Sequence, residues 1–272
     1  MQRRTLFLTA LAAALPGIEG TAAQPSDTTN TNTNIMPATT QPECTTDAFS
    51  TLERMTKRDL ASKLTAIDLP TARLVAVSGL TAIGDEIALE HILETALAEG
   101  VAADRLHEAM LQAMPYSGIP TTLRAERVLA RVLEARGVAF PKAGRGPTDE
   151  TRFEEGLRIQ KGIFGEAIDT MHKNAKADER TLMVNLLTEF CFGDGYARGV
   201  LDTPVRELLT FATIAAMGGC EPQVKAHAGG NLSVGNTRAM LLDTLVVLVP
   251  YIGFPKTLNA LAMVNEVSKG LG

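Results

Sequence analysis

The 272-residue sequence is poor in the residues that build disulfide frameworks or basic binding surfaces. Its three cysteines, Cys44, Cys191 and Cys220, are too few for such a framework and cannot all pair within one chain. At least one thiol is therefore free or bridges two chains. The net charge is -5 and the Lys and Arg residues are scattered, so there is no basic stripe for phosphates and nucleic-acid binding is not expected.

Histidine is also scarce, and its positions argue against a metal site. The four histidines stand at positions 91, 107, 172 and 227, and no two of them have the spacing of a ligand pair. We therefore expect neither a metal ion nor another cofactor.

The amino terminus has the features of a cleavable export signal. Two arginines precede an apolar run from Leu6 to Leu15, and small residues end the segment at Ala23. The run is about half of the roughly 20 apolar residues that a membrane span needs. We predict a signal peptide over residues 1–23, a periplasmic or secreted protein, and no membrane association after cleavage. The adjacent arginines leave both the general and the twin-arginine export routes open.

Composition divides the rest of the chain into two modules. Residues 24–48 are rich in Thr and Asn and nearly lack large apolar residues, which predicts a disordered tether. Gly and Pro mark a linker at residues 141–150. Elsewhere apolar residues recur at helical spacing and no hairpin signal is present. We predict an all-α protein with helical modules over residues 49–140 and 151–270.

The two modules share an internal repeat. The Pro-Tyr-x-Gly-x-Pro motif of residues 115–120 returns at residues 250–255, an offset of 135, whereas Asp68 and Asp202 match at an offset of 134. The later copy therefore holds one extra residue, most simply one of the two glycines at 218 and 219.

The repeated motif predicts a corner between two helices. Its first proline ends or kinks a helix, its glycine permits a positive φ, and its last proline suits the first turn of the next helix. We interpret Tyr116 and Tyr251 as packing residues of these corners.

Polar residues collect before an apolar helix of the second module. Asp202 is a candidate helix cap with Pro204 in the first turn, which places Arg206 and Glu207 near the helix start. Glutamate at this position also stabilises the helix dipole, so a structural role and a chemical role both stay open for Glu207.

Cys220 and His227 fall on the following helix. Unsatisfied N–H groups at a helix start favour a thiolate, which would make Cys220 reactive. Cys220 is equally well explained as a small residue that packs at a tight corner. His227 and Gln223 share its helix face, with His227 roughly 10 Å further along the axis. A relay between thiol and imidazole would need water or a group from another helix, and Glu207 is the candidate. Asn231 offers neutral hydrogen bonds nearby.

Four segments of the second half, residues 162–167, 192–216, 221–236 and 251–267, resemble the carboxymuconolactone decarboxylase family, which shares a superfamily with the alkylhydroperoxidase D family. The resemblance implies an all-helical fold of tandem alkylhydroperoxidase D-like modules, with sites near the interfaces of trimers or hexamers. It also implies a small-molecule substrate.

The resemblance implies two chemistries. The decarboxylase branch keeps the histidine with an aromatic-x-Arg and an Arg-Glu element, here Tyr196, Arg198, Arg206, Glu207 and His227. An arginine would hold a substrate carboxylate and the histidine, supported by the glutamate, would transfer the proton. We expect decarboxylation or isomerisation of a small organic acid or lactone, although export fits poorly with the cytoplasmic catabolic enzymes of this family.

The hydroperoxide-reducing branch carries a Cys-x-x-Cys pair. Cys220 matches its first cysteine, but Gln223 occupies the second position. A dithiol cycle needs a second sulfur, which Cys44 or Cys191 would have to supply. A thiol peroxidase (peroxiredoxin activity) that uses Cys220 is one alternative, and a non-catalytic helical binding or assembly module is another.

The first module is similar to the second but lacks its chemical groups. Arg73, Asp85 and Ile92 stand where Glu207, Cys220 and His227 would. We expect this module to serve packing and assembly, and a homotrimer would then form a ring of six modules.

Overall fold

The computed structural model describes residues 47–142 and 145–269. The predicted signal peptide, most of the tether and Cys44 lie outside the described residues. Every regular element of the described residues is helical, which confirms the all-α prediction. The elements in chain order are α1 (Asp47–Glu53), the π-helical turn π1 (Arg54–Asp59), α2 (Leu69–Ile83), α3 (Glu86–Ala98), α4 (Ala103–Ser117), α5 (Ile119–Ala135), α6 (Arg152–Phe164), α7 (Ala167–Asn174), the π-helix π2 (Thr181–Tyr196), α8 (Thr203–Met217), α9 (Glu221–Ser233) and α10 (Arg238–Val267).

The repeat is visible in how equivalent helices begin. Asp68 accepts a hydrogen bond from the Thr71 amide before α2, and Asp202 accepts one from the Val205 amide before α8, at 2.9 and 3.0 Å. The two aspartates have nearly identical backbone angles, with φ of -80° and -79°. The predicted cap at Asp202 is therefore confirmed, and the tandem modules share their local geometry.

The predicted corners are present in both modules. Gly118, with φ of 90°, separates α4 from α5. Gly253, with φ of 72° and ψ of 172°, breaks α10 into two helices. Among the described helices, α10 alone is long and apolar enough to cross a membrane. The break leaves 15 residues before the corner, about 22 Å at 1.5 Å per residue, which is shorter than a bilayer core.

The extra residue of the later copy lies in the turn between α8 and α9. Gly84 caps α2 and Gly218 caps α8, with φ of 71° and 72°. Asp85 and Cys220 then each precede the next helix. Gly219 is the residue without a counterpart, and its φ of 70° is one that only glycine adopts readily.

The two modules pack into one apolar core through α2 and α8. Ser78 of α2 shares a 2.7 Å hydrogen bond with Thr213 of α8 and donates to the Leu209 carbonyl. A Cβ atom at Gly79 would lie 3.6 Å from Ala216 Cβ of α8 and 2.6 Å from Leu248 Cδ2 of α10, so a larger residue would have to displace the Leu248 side chain.

Each module also places an acidic residue against equivalent helix starts of the other, those of α2 and α8. Asp243 of α10 accepts hydrogen bonds from the backbone amides of residues 65–67 before α2, at 2.6 to 3.2 Å. Glu108 of α4, which matches Asp243 at the offset of 135, binds Arg198 before α8 and Arg206 in the first turns of α8. The modules are therefore joined by exchanged polar contacts as well as by apolar packing.

Candidate active site

Glu207 and His227 form a buried acid–imidazole pair between α8 and α9. Glu207 is fully buried and His227 is 8% exposed. His227 Nδ1 lies 2.6 Å from Glu207 Oε1. A carboxylate accepts hydrogen bonds and does not donate them, so Nδ1 carries the proton of this bond and Nε2 is the chemically variable nitrogen.

A chain of donors converges on the other oxygen of Glu207. The Tyr196 hydroxyl donates to Glu207 Oε2 at 2.5 Å and shares a 2.7 Å bond with Thr210. Because Tyr196 gives its own proton to Glu207, Thr210 is the donor in the bond to Tyr196. Gln112 Nε2 donates in turn to the Thr210 hydroxyl at 3.0 Å. Burial, and then the negative charge of Glu207, raises the pKa of Tyr196 well above its ordinary value. Tyr196 thus stays protonated and acts as a fixed donor to Glu207.

Gly230 makes the close approach of α9 to Glu207 possible. A Cβ atom at Gly230 would lie 2.4 Å from Glu207 Oε1 and 2.9 Å from Ile163 Cγ2. The neighbouring Gly229 has no atom within 4 Å of its own Cβ position. Glycine therefore makes room for the Glu207 side chain at position 230, whereas position 229 faces open space.

Asn231 fastens the two helices rather than facing a ligand. Its side-chain amide donates to the carbonyls of Glu207 and His227, at 3.0 and 2.8 Å, and its oxygen accepts from Asn236. Asn231 is fully buried with these bonds made. The arrangement gives Asn231 a structural role, and a contact with substrate stays a prediction.

The two predicted carboxylate-binding arginines are engaged by Glu108. Arg198 and Arg206 each place Nη2 2.8 to 2.9 Å from a Glu108 oxygen. Arg206 is fully buried, and its other donors bind Gln112 and the Leu201 carbonyl. Burial would raise the pKa of Glu108, but the hydrogen bonds and charges of the two arginines hold it below its ordinary value. The Arg206 guanidinium thus joins the modules, and its role as a substrate ligand stays a prediction.

Cys220 does not join the acid–imidazole pair. Its half-buried thiol makes one described hydrogen bond, a 3.5 Å contact with the Gly218 carbonyl. Gln223 is on the exposed surface of α9. Glu207 and His227 are thus hydrogen-bonded to each other, while the Cys220 sulfur makes no described hydrogen bond to either.

A different cysteine lies beside the site. Cys191 of π2 is buried and its thiol donates to the Tyr116 hydroxyl at 3.2 Å. Burial raises the pKa of Cys191 to about 12. A thiol with such a pKa is almost entirely protonated at neutral pH, so Cys191 is placed as a donor and not as a nucleophile.

Aromatic side chains enclose the imidazole. The rings of Tyr116 and Phe164 meet His227 edge to face, with centroids 5.6 and 5.4 Å away. Nε2 of His227 has no hydrogen-bond partner among the described residues, yet it is not among the polar atoms sealed from solvent. The imidazole therefore presents one free nitrogen at the edge of an apolar enclosure.

The equivalent region of the first module holds a salt bridge in place of the acid–imidazole pair. Arg73 replaces Glu207 and donates to both carboxylate oxygens of Glu99 at 2.8 Å. Ile92, in the place of His227, is fully buried. His91 lines a cleft of about 590 Å³, but its buried Nε2 has no partner.

Thr210 of α8 and Phe164 of α6 were not identified as site residues from the sequence, and neither were three residues of α4 in the first module: Glu108, Gln112 and Tyr116. The three residues of α4 form one group. Their spacing of four residues places them on one helix face, which was a readable signal. Which surface that face meets depends on packing between distant helices, so the sequence pattern alone did not reveal it.

Comparison with known proteins identifies related sequences in both modules. The sequence model of the carboxymuconolactone decarboxylase family matches residues 46–131 and 182–266, more than half of the chain. The chain is also 27% identical over 124 residues to a 4-carboxymuconolactone decarboxylase of Acinetobacter baylyi. That alignment spans 46% of this chain and 92% of the relative, so the relative is about half as long.

Proposed function

Because this chain belongs to the carboxymuconolactone decarboxylase family, we propose that it is an enzyme that decarboxylates or isomerises a small organic acid or lactone by acid–base chemistry of its side chains. The observation that carries the proposal is the 2.6 Å pair of His227 Nδ1 and Glu207 Oε1. A buried carboxylate fixes the orientation and tautomer of the imidazole, as the hydrogen-bond partner of a histidine does in other acid–base sites. His227 Nε2 is then the atom that exchanges a proton with substrate.

The decarboxylation would proceed as follows. The bond between a carbon atom and its carboxylate breaks, CO₂ leaves, and the electron pair moves into a carbonyl conjugated with that carbon. His227 Nε2–H gives its proton to carbon, and solvent restores that proton. In the isomerisation, the same nitrogen removes a proton from one carbon and returns it to another, so no proton is consumed.

Arg198 supports recognition of an acidic substrate. Its Nε and Nη2 atoms bind Glu108, but its Nη1 atom makes no hydrogen bond among the described residues. The side chain is 16% exposed, whereas that of Arg206 is fully enclosed. Of the two arginines, Arg198 is therefore the one with a donor left for a substrate carboxylate.

The test uses 4-carboxymuconolactone as the first substrate, with CO₂ release as the readout. We expect turnover by the wild type and a kcat at least about 100-fold lower in His227→Gln, because general acid–base groups contribute that much. His107→Gln is the matched control, since it removes the other described His–Glu pair, His107 Nε2 to Glu126 Oε1 at 2.8 Å. Full activity of His227→Gln would refute the assignment.

The thiol peroxidase that uses Cys220 stays as the second candidate, because this thiol is free and only half-buried at the start of α9. Cys191 is buried with a raised pKa, so the second sulfur of the cycle would come from Cys44 or from an external thiol. Reduction of cumene hydroperoxide in the presence of dithiothreitol, lost in Cys220→Ser, would support this candidate. Absence of turnover and of ligand binding in all these assays would favour the non-catalytic module.

Export to the periplasm or the medium and assembly into a homotrimer are further proposals. Support for assembly comes from exposed apolar pairs at equivalent positions of the two modules. Ile119 and Leu123 on α5 are 50% exposed, and Phe254 and Leu258 on α10 are 65% and 54% exposed. Two such patches on each chain suit contacts between copies of the chain.

A further inference from the structure

We propose that the first module, which lacks an acid–imidazole pair of its own, supplies the Tyr116 hydroxyl to the site of the second module as the donor that binds the substrate's carbonyl oxygen. This inference rests on the proposed function. The site is then a composite of both modules, and the first module contributes to catalysis as well as to packing.

One face of α4 forms a wall of the second module's site. Glu108, Gln112 and Tyr116 are spaced by four residues, so they lie along one stripe of the helix. Glu108 binds Arg198 and Arg206, and Gln112 joins the donor chain that ends at Glu207. Tyr116 continues this stripe to His227. All three side chains thus contact the second module.

The Tyr116 hydroxyl has a proton to donate. Its oxygen accepts the Cys191 thiol proton at 3.2 Å, and Tyr196, which gives its own proton to Glu207, is its other hydrogen-bond neighbour. Burial, then the neighbouring Cys191 and Glu207, raises the pKa of Tyr116 well above its ordinary value, so the hydroxyl stays protonated. The residue is nevertheless only partly enclosed. A protonated hydroxyl next to an imidazole suits an oxygen that gains negative charge.

The hydroxyl completes the charge balance of the proposed reaction. When the carbon–carboxylate bond breaks, its electron pair moves to the conjugated carbonyl oxygen, which becomes an enolate. Tyr116 O–H donates a hydrogen bond to that oxygen without losing its proton. His227 Nε2–H then protonates carbon, the electron pair returns from oxygen, and CO₂ is the leaving group.

The repeat provides a matched control in Tyr251. This tyrosine matches Tyr116 at the offset of 135, but the cation near it is Arg73 and not an imidazole. Tyr116→Phe and Tyr251→Phe therefore remove the same atom from equivalent corners. Only the first removes a donor from the proposed site.

The first experiment measures kcat and KM for 4-carboxymuconolactone together with thermal midpoints. We expect Tyr116→Phe to lower kcat about 100-fold, as loss of one oxyanion donor does, with KM within a few-fold of the wild type. Tyr251→Phe should keep wild-type kcat, and both variants should unfold at similar temperatures. Equal kcat in Tyr116→Phe and the wild type would overturn the inference.

A second experiment separates this inference from the proposed function. The protein has three tyrosines, so labelling with ¹³Cζ-tyrosine gives three signals that the Tyr→Phe variants assign. The probe is 5-oxotetrahydrofuran-3-carboxylate, a saturated lactone acid without the conjugated carbonyl. We expect it to shift the Tyr116 signal and leave the Tyr251 signal in place, even if the wild type proves inactive on 4-carboxymuconolactone. Binding of the probe that leaves the Tyr116 signal unmoved would overturn the inference, as would a failure to bind at millimolar concentration.

Discussion

The adjacent glycines of α9 allow the geometry of the acid–imidazole pair to be tested without any substrate. Gly229 and Gly230 both lie within the helix, so alanine should favour the helical state at either position by about 1 kcal/mol. Their surroundings differ, because the Cβ position of Gly230 is 2.4 Å from Glu207 Oε1 and that of Gly229 has no atom within 4 Å. The two substitutions should therefore have opposite effects on stability.

The magnitude for Gly230→Ala follows from three contributions. Overpacking against Glu207 and Ile163 costs about 1 to 3 kcal/mol. Separation of the 2.6 Å contact between Glu207 and His227 costs about 1.5 to 3 kcal/mol more, as for other hydrogen bonds to charged groups. The gain in helix propensity offsets about 1 kcal/mol. We expect Gly230→Ala to lower the free energy of unfolding by about 1.5 to 5 kcal/mol.

Urea unfolding followed by circular dichroism at 222 nm measures both variants. We expect Gly229→Ala to be as stable as the wild type or up to about 1 kcal/mol more stable. If Gly230→Ala is as stable as Gly229→Ala, then α9 does not approach Glu207 as described, and the described hydrogen bond between Glu207 and His227 is wrong.

Three further predictions concern charge, thiols and assembly. Removal of the anion that faces two arginines in Glu108→Gln should cost about 3 to 5 kcal/mol at pH 7. The lowered pKa of Glu108 means that its stabilisation is present above the unfolded-state pKa and is lost as the pH falls through the folded value. The free energies of unfolding of variant and wild type should therefore approach each other progressively as the pH falls below the unfolded-state pKa of about 4.3. In the folded protein, iodoacetamide should modify Cys220 and spare Cys191 until urea is added, as measured by peptide mass spectrometry; equal rates would contradict the burial of Cys191. Phe254→Asp should lower the molar mass measured by light scattering, whereas Leu182→Asp, at another exposed apolar position, should leave it unchanged. An unchanged molar mass in Phe254→Asp would rule out the patch around Phe254 as an interface.

Local features of the fold were predictable from the sequence because short-range rules decide them. Asp202 caps a helix with its own side chain, and the corner at Gly253 needs only a glycine with positive φ beside two prolines. The repeat offset likewise placed the extra residue at the turn that holds Gly219. The cap and the corner each depend on fewer than ten consecutive residues, and the offset depends on a comparison of two similar segments.

The partners of the polar site residues were not predictable in the same way. Arg206 lies in a helix start that suits a substrate ligand, but its charge is met by Glu108, 98 positions earlier. Tyr116 lies in a corner motif that suits packing, yet its ring contacts His227. Helical periodicity identifies which residues share a face, whereas the neighbour of that face depends on how distant helices pack.

These contacts explain why a first module without the acid–imidazole pair can still be needed for the site. If α4 were absent, Arg206 would lose both Glu108 and Gln112 while its guanidinium remained in the loop that leads into α8. A buried cation without its partner is costly, by about 3 to 5 kcal/mol when one member of a buried pair is removed. The same loss would end the donor chain from Gln112 through Thr210 to Tyr196, which orients Glu207. The geometry of His227 therefore depends on a helix that carries none of the residues on which the family resemblance was based.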